Sequence, residues 1–203
     1  MNTARYIIAV LVLIGLPPGV LLWFFIHPFA SFWRKRGPVW TYTVLGFPMV
    51  ALMLGLFRYR RVLLGRDFGT SYPLIGLALL LFAAAATIAL RRKKMLTFGV
   101  LAGLPELSES KYPGKLLMEG PYAKVRHPRY IEIFLATLSY SLFANHLGTY
   151  ILTVATIPVL YLIVLLEERE LRERFGEAYI QYSEKVPRFI PKLSRKASVG
   201  NSG

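Results

Sequence analysis

Five apolar runs divide the chain, and each is closed by charge or by turn residues. The first, Tyr6 to Ile26, is followed by His27 and Trp33 and closes on Arg34-Lys35-Arg36. The second, Val39 to Phe57, opens with Trp40 and Tyr42, rings suited to the headgroup level, and closes on Arg58-Tyr59-Arg60-Arg61. The third, Tyr72 to Leu90, carries the small-residue patch Ala83 to Ala86 and stops at Arg91-Arg92-Lys93-Lys94. Small residues let helices approach closely, which suits a central position in a bundle. The fourth, Ile131 to Ala144, is short, and the fifth runs from Thr149 to Leu166. A helical span takes about 20 apolar residues, so these runs predict membrane helices. The short fourth run can cross where the bilayer is thinned or lined by protein. With the fifth it predicts a helical hairpin, turning at Asn145-His146 with Gly148. Pro17-Pro18 predicts a kink in the first helix, because each ring removes a backbone donor. That run is too long for a signal-peptide core and no small-x-small cleavage site follows it.

Between the third and fourth runs, residues 95–129 are punctuated by Gly99, Gly103, Pro105, Pro113, Gly114, Gly120 and Pro121. They predict a long irregular connection whose leucines cap the bundle. Beyond the fifth run, Glu167 to Tyr182 keeps helical character, with Leu171, Phe175, Tyr179 and Tyr182 on one face. Val186 to Pro191 breaks that helix, and residues 193–203 read as a disordered tail. The fold class is therefore an all-α integral membrane helical bundle. It has about five transmembrane helices and a C-terminal helical hairpin, in a single domain over residues 1–192.

Composition supports this class. The chain has 203 residues, is 55% hydrophobic and carries a net charge of +14, with a mean hydropathy of +0.46. A nucleic-acid binder would be as basic, but would not carry several runs long enough to span a bilayer. The absence of cysteine excludes disulfides, thiolate metal sites and a cysteine nucleophile. There is no glycine-rich phosphate loop, and His27, His127 and His146 fall in different predicted regions, so no metal site is expected. With five spans, 19 of the 25 Lys and Arg residues lie on one side and 5 on the other, with Arg129 at a helix start. The positive-inside rule then puts the N-terminus outside and the C-terminus in the cytoplasm, with a basic face toward anionic lipids.

Two stretches remain that hydropathy does not explain. Glu119 to Tyr130 reads Glu-Gly-Pro-Tyr-Ala-Lys-Val-Arg-His-Pro-Arg-Tyr, and Glu167-Glu168 follow directly on the fifth run. Arg126 could simply meet lipid phosphate, and Pro128 suits the first turn of a helix. Carboxylates at membrane depth call for partners or a function. A pair with Arg174 four residues on accounts for Glu170, but not for Glu167 or Glu168. If the two stretches meet, they offer carboxylates, a guanidinium, an imidazole and the phenols of Tyr122 and Tyr130. That set suits a cationic ligand bearing a diol and a carboxylate.

The run Gly-Pro-Tyr-Ala-Lys-Val-Arg-His-Pro-Arg-Tyr, then Glu-Glu-Arg-Glu-Leu, Phe-Gly-Glu-Ala-Tyr-Ile-Gln-Tyr and Val-Pro-Arg-Phe-Ile-Pro, resembles the isoprenylcysteine carboxyl methyltransferase and phospholipid methyltransferase superfamily. The motifs cover residues 117–191; the earlier helices match only in hydropathy. The resemblance implies a membrane methyltransferase using S-adenosyl-L-methionine, with a cytoplasmic cofactor pocket carried by residues 95–192. By motif position it implies cofactor contact at Tyr122, Arg126, His127, Pro128, Tyr130, Glu167 and Glu168, with Leu117 and Gly120 through backbone. His127 and Glu168 are the candidate bases should the acceptor be an ammonium. Arg188 is placed to hold an anionic acceptor group, or equally to snorkel to the interface. Many members have a small residue where this chain has Glu132, which would alter the substrate side if it faced the pocket. The expected partner is a lipophilic acceptor reaching the site laterally from the membrane; a carboxylate, an amine and a thiol all remain open. Two other classes stay open at this point: a nicotinamide-dependent reductase related to sterol reductases, and a non-catalytic lipid-binding protein.

Overall fold

The computed structural model describes residues 2–94 and 116–191. The connection predicted over 95–129 is therefore described only from Leu116 onward, and the tail expected over 193–203 lies outside the described residues. Helix α1 (Asn2–Ile26) contains Pro17 and Pro18, and gives way to a 3₁₀ turn (His27–Phe29) and to α2 (Ala30–Arg36). Then follow α3 (Pro38–Arg58), α4 (Arg60–Leu64) and α5 (Tyr72–Lys93). After a 3₁₀ turn at Gly120–Ala123 come α6 (Pro128–Ala144), α7 (Leu147–Phe175) and α8 (Glu177–Lys185).

Among the described residues, four stretches are long and apolar enough to cross a membrane: Asn2–Arg36, Pro38–Arg58, Tyr72–Lys93 and Leu147–Phe175. The fourth predicted run, α6, is shorter than these, with 17 residues. At 1.5 Å per residue it reaches about 25 Å, short of a hydrocarbon core of roughly 30 Å. It nevertheless runs beside α5 from one end of the bundle to the other. Near its start Glu132 pairs with Arg92 at the end of α5. In its middle the Ser139 hydroxyl donates to the Ala78 carbonyl at 2.8 Å. Its last carbonyl, on Ala144, accepts from Arg5 at 2.9 Å.

Local chemistry explains the joints. Asn145 closes α6 in the left-handed region (φ 53°), as Asn can at modest cost. Gly148 opens α7 against α4, where a Cβ would come within 2.1 Å of the Leu63 carbonyl oxygen, so only glycine permits the approach. α7 runs past the predicted boundary at Leu166 as one helix. It stops at Gly176, whose φ of +52° breaks the continuous face expected from Leu171 to Tyr182. Tyr179 and Tyr182 are buried all the same.

Between the helices, small hydroxyls link backbones. Ser141 and Thr153 share a hydrogen bond at 2.8 Å, and Ser141 also donates to the Thr149 carbonyl, a common way of joining membrane helices. Val39, Phe47, Leu54, Leu79 and Leu80 are exposed on α3 and α5, an outer face matched to lipid tails rather than water. The ionic contacts gather at two ends, about 30 Å apart along α7 by helix rise. Arg5, Asp67 and His146 meet at one end; His27, Arg92, Arg126, Glu168, Glu170 and Arg188 meet at the other.

Candidate active site

The second end is built on one carboxylate. Glu168, on α7, has a side chain 1% exposed. Its Oε1 accepts from Arg126 Nη2 at 2.8 Å and Nε at 3.3 Å, from His127 Nε2 at 3.1 Å and from Arg188 Nε at 3.0 Å. Its Oε2 accepts from Arg188 Nη2 at 2.8 Å, with Arg172 Nη2 at 3.6 Å. A buried carboxylate is costly unless paired and hydrogen-bonded; here the pairing draws three chain segments together. Backbone bonds fix the same junction. The Arg126 amide donates to the Pro187 carbonyl at 2.8 Å, and the His127 amide to the Arg188 carbonyl at 3.1 Å.

Arg126 has a second task. Its Nη1 donates to the Val186 carbonyl at 2.6 Å and to the Ser183 carbonyl, so the guanidinium caps the C-terminus of α8 and complements the negative end of that helix. Tyr182 adds a further tie, its hydroxyl donating to the Tyr122 carbonyl at 2.7 Å. Burial pushes the Tyr182 phenol up to about 12, which keeps it a donor. The structure thus engages Arg126 and Arg188 with Glu168, inside the chain.

His127 stands at the N-cap of α6, and Pro128 supplies the first helical residue. The imidazole lies between two carboxylates: Nε2 on Glu168 and Nδ1 3.6 Å from Glu167 Oε2. Burial disfavours its charged form, but the two carboxylates outweigh burial and raise its pKa. Glu167 differs from its neighbour. Its side chain is 27% exposed, and its buried Oε2 atom makes no hydrogen bond as short as 3.5 Å, the contact with His127 Nδ1 at 3.6 Å being ionic. Tyr130 lies beside it.

The other expected contacts spread outward. Tyr122 lies close to Arg92, and burial raises its pKa, so the phenol stays protonated. Leu117 is half-buried and Gly120 exposed; among the described residues no hydrogen bond or ion pair joins either to the Glu168 cluster. Glu132 is held in a fork by Arg92, Nε to Oε2 at 3.0 Å and Nη2 to Oε1 at 3.3 Å.

Sequence reasoning missed a neighbouring layer. Glu170, expected to pair along its helix, turns its carboxylate to His27 Nδ1 at 2.9 Å and Arg34 Nη2 at 2.6 Å. His27 and His127, expected in different regions, therefore lie at the same end, held by carboxylates two residues apart. Trp23 stacks on His27 with centroids 5.5 Å apart, and Arg129 lies over Trp23 at 4.4 Å. The spacing of Glu167 and Glu170, i and i+3 on one helix, was the available sign that Glu170 belongs with this end.

A stretch of 79 residues is 35% identical to the Protein-S-isoprenylcysteine O-methyltransferase of Schizosaccharomyces pombe, covering 38% of this chain and 34% of that protein. The match thus spans about a third of the relative's length. No solved structure matches the chain. Residues 72–178, more than half of the chain and including both Arg126-His127-Pro128 and Glu167-Glu168, match the phospholipid methyltransferase family, and the chain belongs to that family.

Proposed function

We propose that this membrane protein transfers a methyl group from S-adenosylmethionine to a lipophilic acceptor, at the end of the bundle where residues 119–130 meet Glu167, Glu168 and Arg188. One observation carries the reading: Glu167 Oε2 is buried without a hydrogen-bond partner beside a fully paired Glu168. His127 Nδ1 at 3.6 Å is too far for a good hydrogen bond, and a ligand's hydroxyl donors would complete the bonding of this oxygen. The donor set fits a cationic nucleoside. Glu167 would accept from a ribose diol or balance a positive sulfur, and the ring faces of Tyr122, His127 and Tyr130 would pack against it. Bound there, the cofactor would supply an electrophilic methyl group.

The chain's own residues do the rest by placement. Glu168 keeps Arg126, His127 and Arg188 in register, and its buried pairs hold the floor of the site rigid. His127, whose pKa the two carboxylates raise, stands 3.6 Å from Glu167 Oε2 and holds that side chain near the site. Transfer from a sulfonium needs alignment and exclusion of water more than acid–base chemistry, which suits a site whose charged groups are mostly paired to one another. The asymmetry of Lys and Arg supports placing this end in the cytoplasm, where a water-soluble cofactor is available.

The test is methyl transfer itself. Membranes containing the full chain are incubated with methyl-labelled S-adenosylmethionine, and label is followed into the lipid-soluble fraction. Wild type is expected to incorporate label and Glu167→Gln to lose at least roughly tenfold, the effect of one charge-assisted hydrogen bond. Equal incorporation by the two proteins would overturn the site, and none by either would overturn the activity.

A further inference from the structure

Four cations, Arg91-Arg92-Lys93-Lys94, stand at the end of α5, and Arg91, Lys93 and Lys94 are exposed. Arg92 turns inward instead, with a side chain 9% exposed. A buried cation is costly unless it is paired. Glu132 on α6 supplies the partner, accepting from Nε at 3.0 Å and from Nη2 at 3.3 Å. The Glu132 side chain is itself only 18% exposed. Among the described residues Arg92 has no second carboxylate partner and Glu132 no second cation. The pair is therefore neutral as a unit, and two parallel bonds fix the plane of the guanidinium.

The fork uses Nε and Nη2 and leaves the Nη1 edge of Arg92 outside it. The Tyr122 phenol lies beside this guanidinium, with Glu167 and Arg129 as the other charges around it. Tyr122 belongs to the 3₁₀ turn Gly120–Ala123, which packs against α5. Its carbonyl is held separately, by the Tyr182 hydroxyl of α8 at 2.7 Å. Two elements thus fix this residue, α8 through its backbone and α5 through its ring. The place of the ring depends on Arg92, and the place of Arg92 depends on Glu132. Neither member of the pair is bonded to Glu168.

We infer that Arg92 and Glu132 form a neutral clamp on Tyr122: Arg92 sets the phenol on the Glu167 side of the site, and Glu132 cancels the charge of Arg92, so that a positively charged nucleoside can lie against that ring. Charge explains why both members are present. A lone guanidinium would orient the phenol, but it would repel a positive sulfur bound nearby, and that repulsion is strong where water is excluded. A lone Glu132 would be a nearly buried carboxylate without a partner. Both are positioning residues, acting on the ligand through Tyr122 and through charge. This inference rests on the proposed methyltransferase reading, which supplies the ligand with a positive sulfur.

The experiment titrates the full chain in lipid nanodiscs with S-adenosylmethionine and with S-adenosylhomocysteine, which differ by one positive charge at sulfur. The readout is the ratio of the two affinities, which a general loss of structure would not move. Glu132→Gln leaves Arg92 charged and unpaired. It is expected to weaken S-adenosylmethionine roughly tenfold more than S-adenosylhomocysteine, the scale of one uncompensated charge in a partly buried site. Arg92→Gln leaves the anion instead and is expected to move the ratio the opposite way. The double variant Arg92→Gln/Glu132→Gln has neither charge and is expected to regain the wild-type ratio. It is also expected to bind S-adenosylhomocysteine roughly fivefold more weakly than wild type, the effect of one hydrogen bond to Tyr122. In a Tyr122→Phe background the same double substitution is expected to add no further loss. An unchanged ratio in either single variant, or a shift in the same direction in both, would overturn the charge compensation. A further loss in the Tyr122→Phe background as large as in wild type would overturn the hold on Tyr122. Failure of wild type to bind either nucleoside would overturn the methyltransferase reading and this inference with it, an outcome distinct from the other two.

Discussion

His127 and His146 occupy the same kind of position at opposite ends of the bundle. Each is the N-cap residue of a long helix, α6 for His127 and α7 for His146, and each is buried. Their surroundings differ. His127 lies between Glu167 and Glu168, which raise its pKa against the effect of burial. His146 has Asp67 at 3.9 Å, but that carboxylate is half-exposed and already bonded to Arg5. Burial therefore prevails and lowers the pKa of His146. The ends differ in the same way. Around His146 the chain is pinned by backbone: the Phe68 amide donates to the Asn145 carbonyl, and the Leu147 amide to the Arg66 carbonyl. Around His127 charged side chains do much of the joining, and one carboxylate oxygen is left over. The His146 end is a joint. It too holds buried polar atoms without a hydrogen-bond partner, Arg5 Nε and both ring nitrogens of His146; what sets the His127 end apart is that its unmatched atom is a carboxylate oxygen, on a side chain 27% exposed.

The largest expected effect separates the two ends by stability. Glu168→Gln leaves Arg126, His127 and Arg188 without their shared anion, and breaking a buried pair costs about 3–5 kcal/mol. Thermal unfolding in detergent is expected to fall clearly, with loss of S-adenosylhomocysteine binding. Unaltered stability would mean that Glu168 does not hold the end together. Glu167→Gln is expected to do the reverse: little change in unfolding, but a loss of at least roughly tenfold in affinity.

The histidines give a pH test of the same contrast. Below its ordinary value of 6.5, His127 is protonated in both folded and unfolded chains, and its contribution is fully present. As pH rises above 6.5 toward its raised folded value, the unfolded chain gives up the proton first, so that contribution is lost. For His146, whose folded value lies below 6.5, the unfolded chain takes the proton first as pH falls, so stability declines on the acid side. His127→Gln is expected to flatten the alkaline limb of stability against pH, and His146→Gln part of the acid limb. A variant that flattened the opposite limb would refute the assignment of charge. The smallest effect is at the far end. Asp67 is half-exposed although its partner Arg5 is buried, and Arg5 keeps its bond to the Ala144 carbonyl, so Asp67→Asn is expected to destabilise less than Glu168→Gln, with nucleoside affinity unchanged.

Much of this was legible in the sequence because it is local. Hydropathy marks the helices, Asn145 marks the α6–α7 turn, and Arg126-His127-Pro128 and Glu167-Glu168 are the two stretches that meet at the His127 end. What was hidden depends on distant pairing or on a single dihedral. Glu170 meets His27 across 143 positions, where no spacing rule reaches. Gly176 breaks α7 through its positive φ, although the apolar spacing on either side reads as one continuous face. The engagement of Arg126 with Val186 and Ser183 was hidden because it requires α8 to fold back onto it. Arg129 was only one charge among 25 Lys and Arg residues; its place over Trp23 comes from the packing of α6 against α1.

The central claim is that the His127 end holds the cofactor through Glu167, with Glu168 as its support. The most direct measurement is calorimetric titration of S-adenosylhomocysteine into the full chain, comparing wild type, Glu167→Gln and Asp67→Asn. The account predicts saturable binding to wild type and to Asp67→Asn with the same affinity, and binding at least roughly tenfold weaker in Glu167→Gln. Equal affinity in wild type and Glu167→Gln, or no binding to wild type, would contradict it.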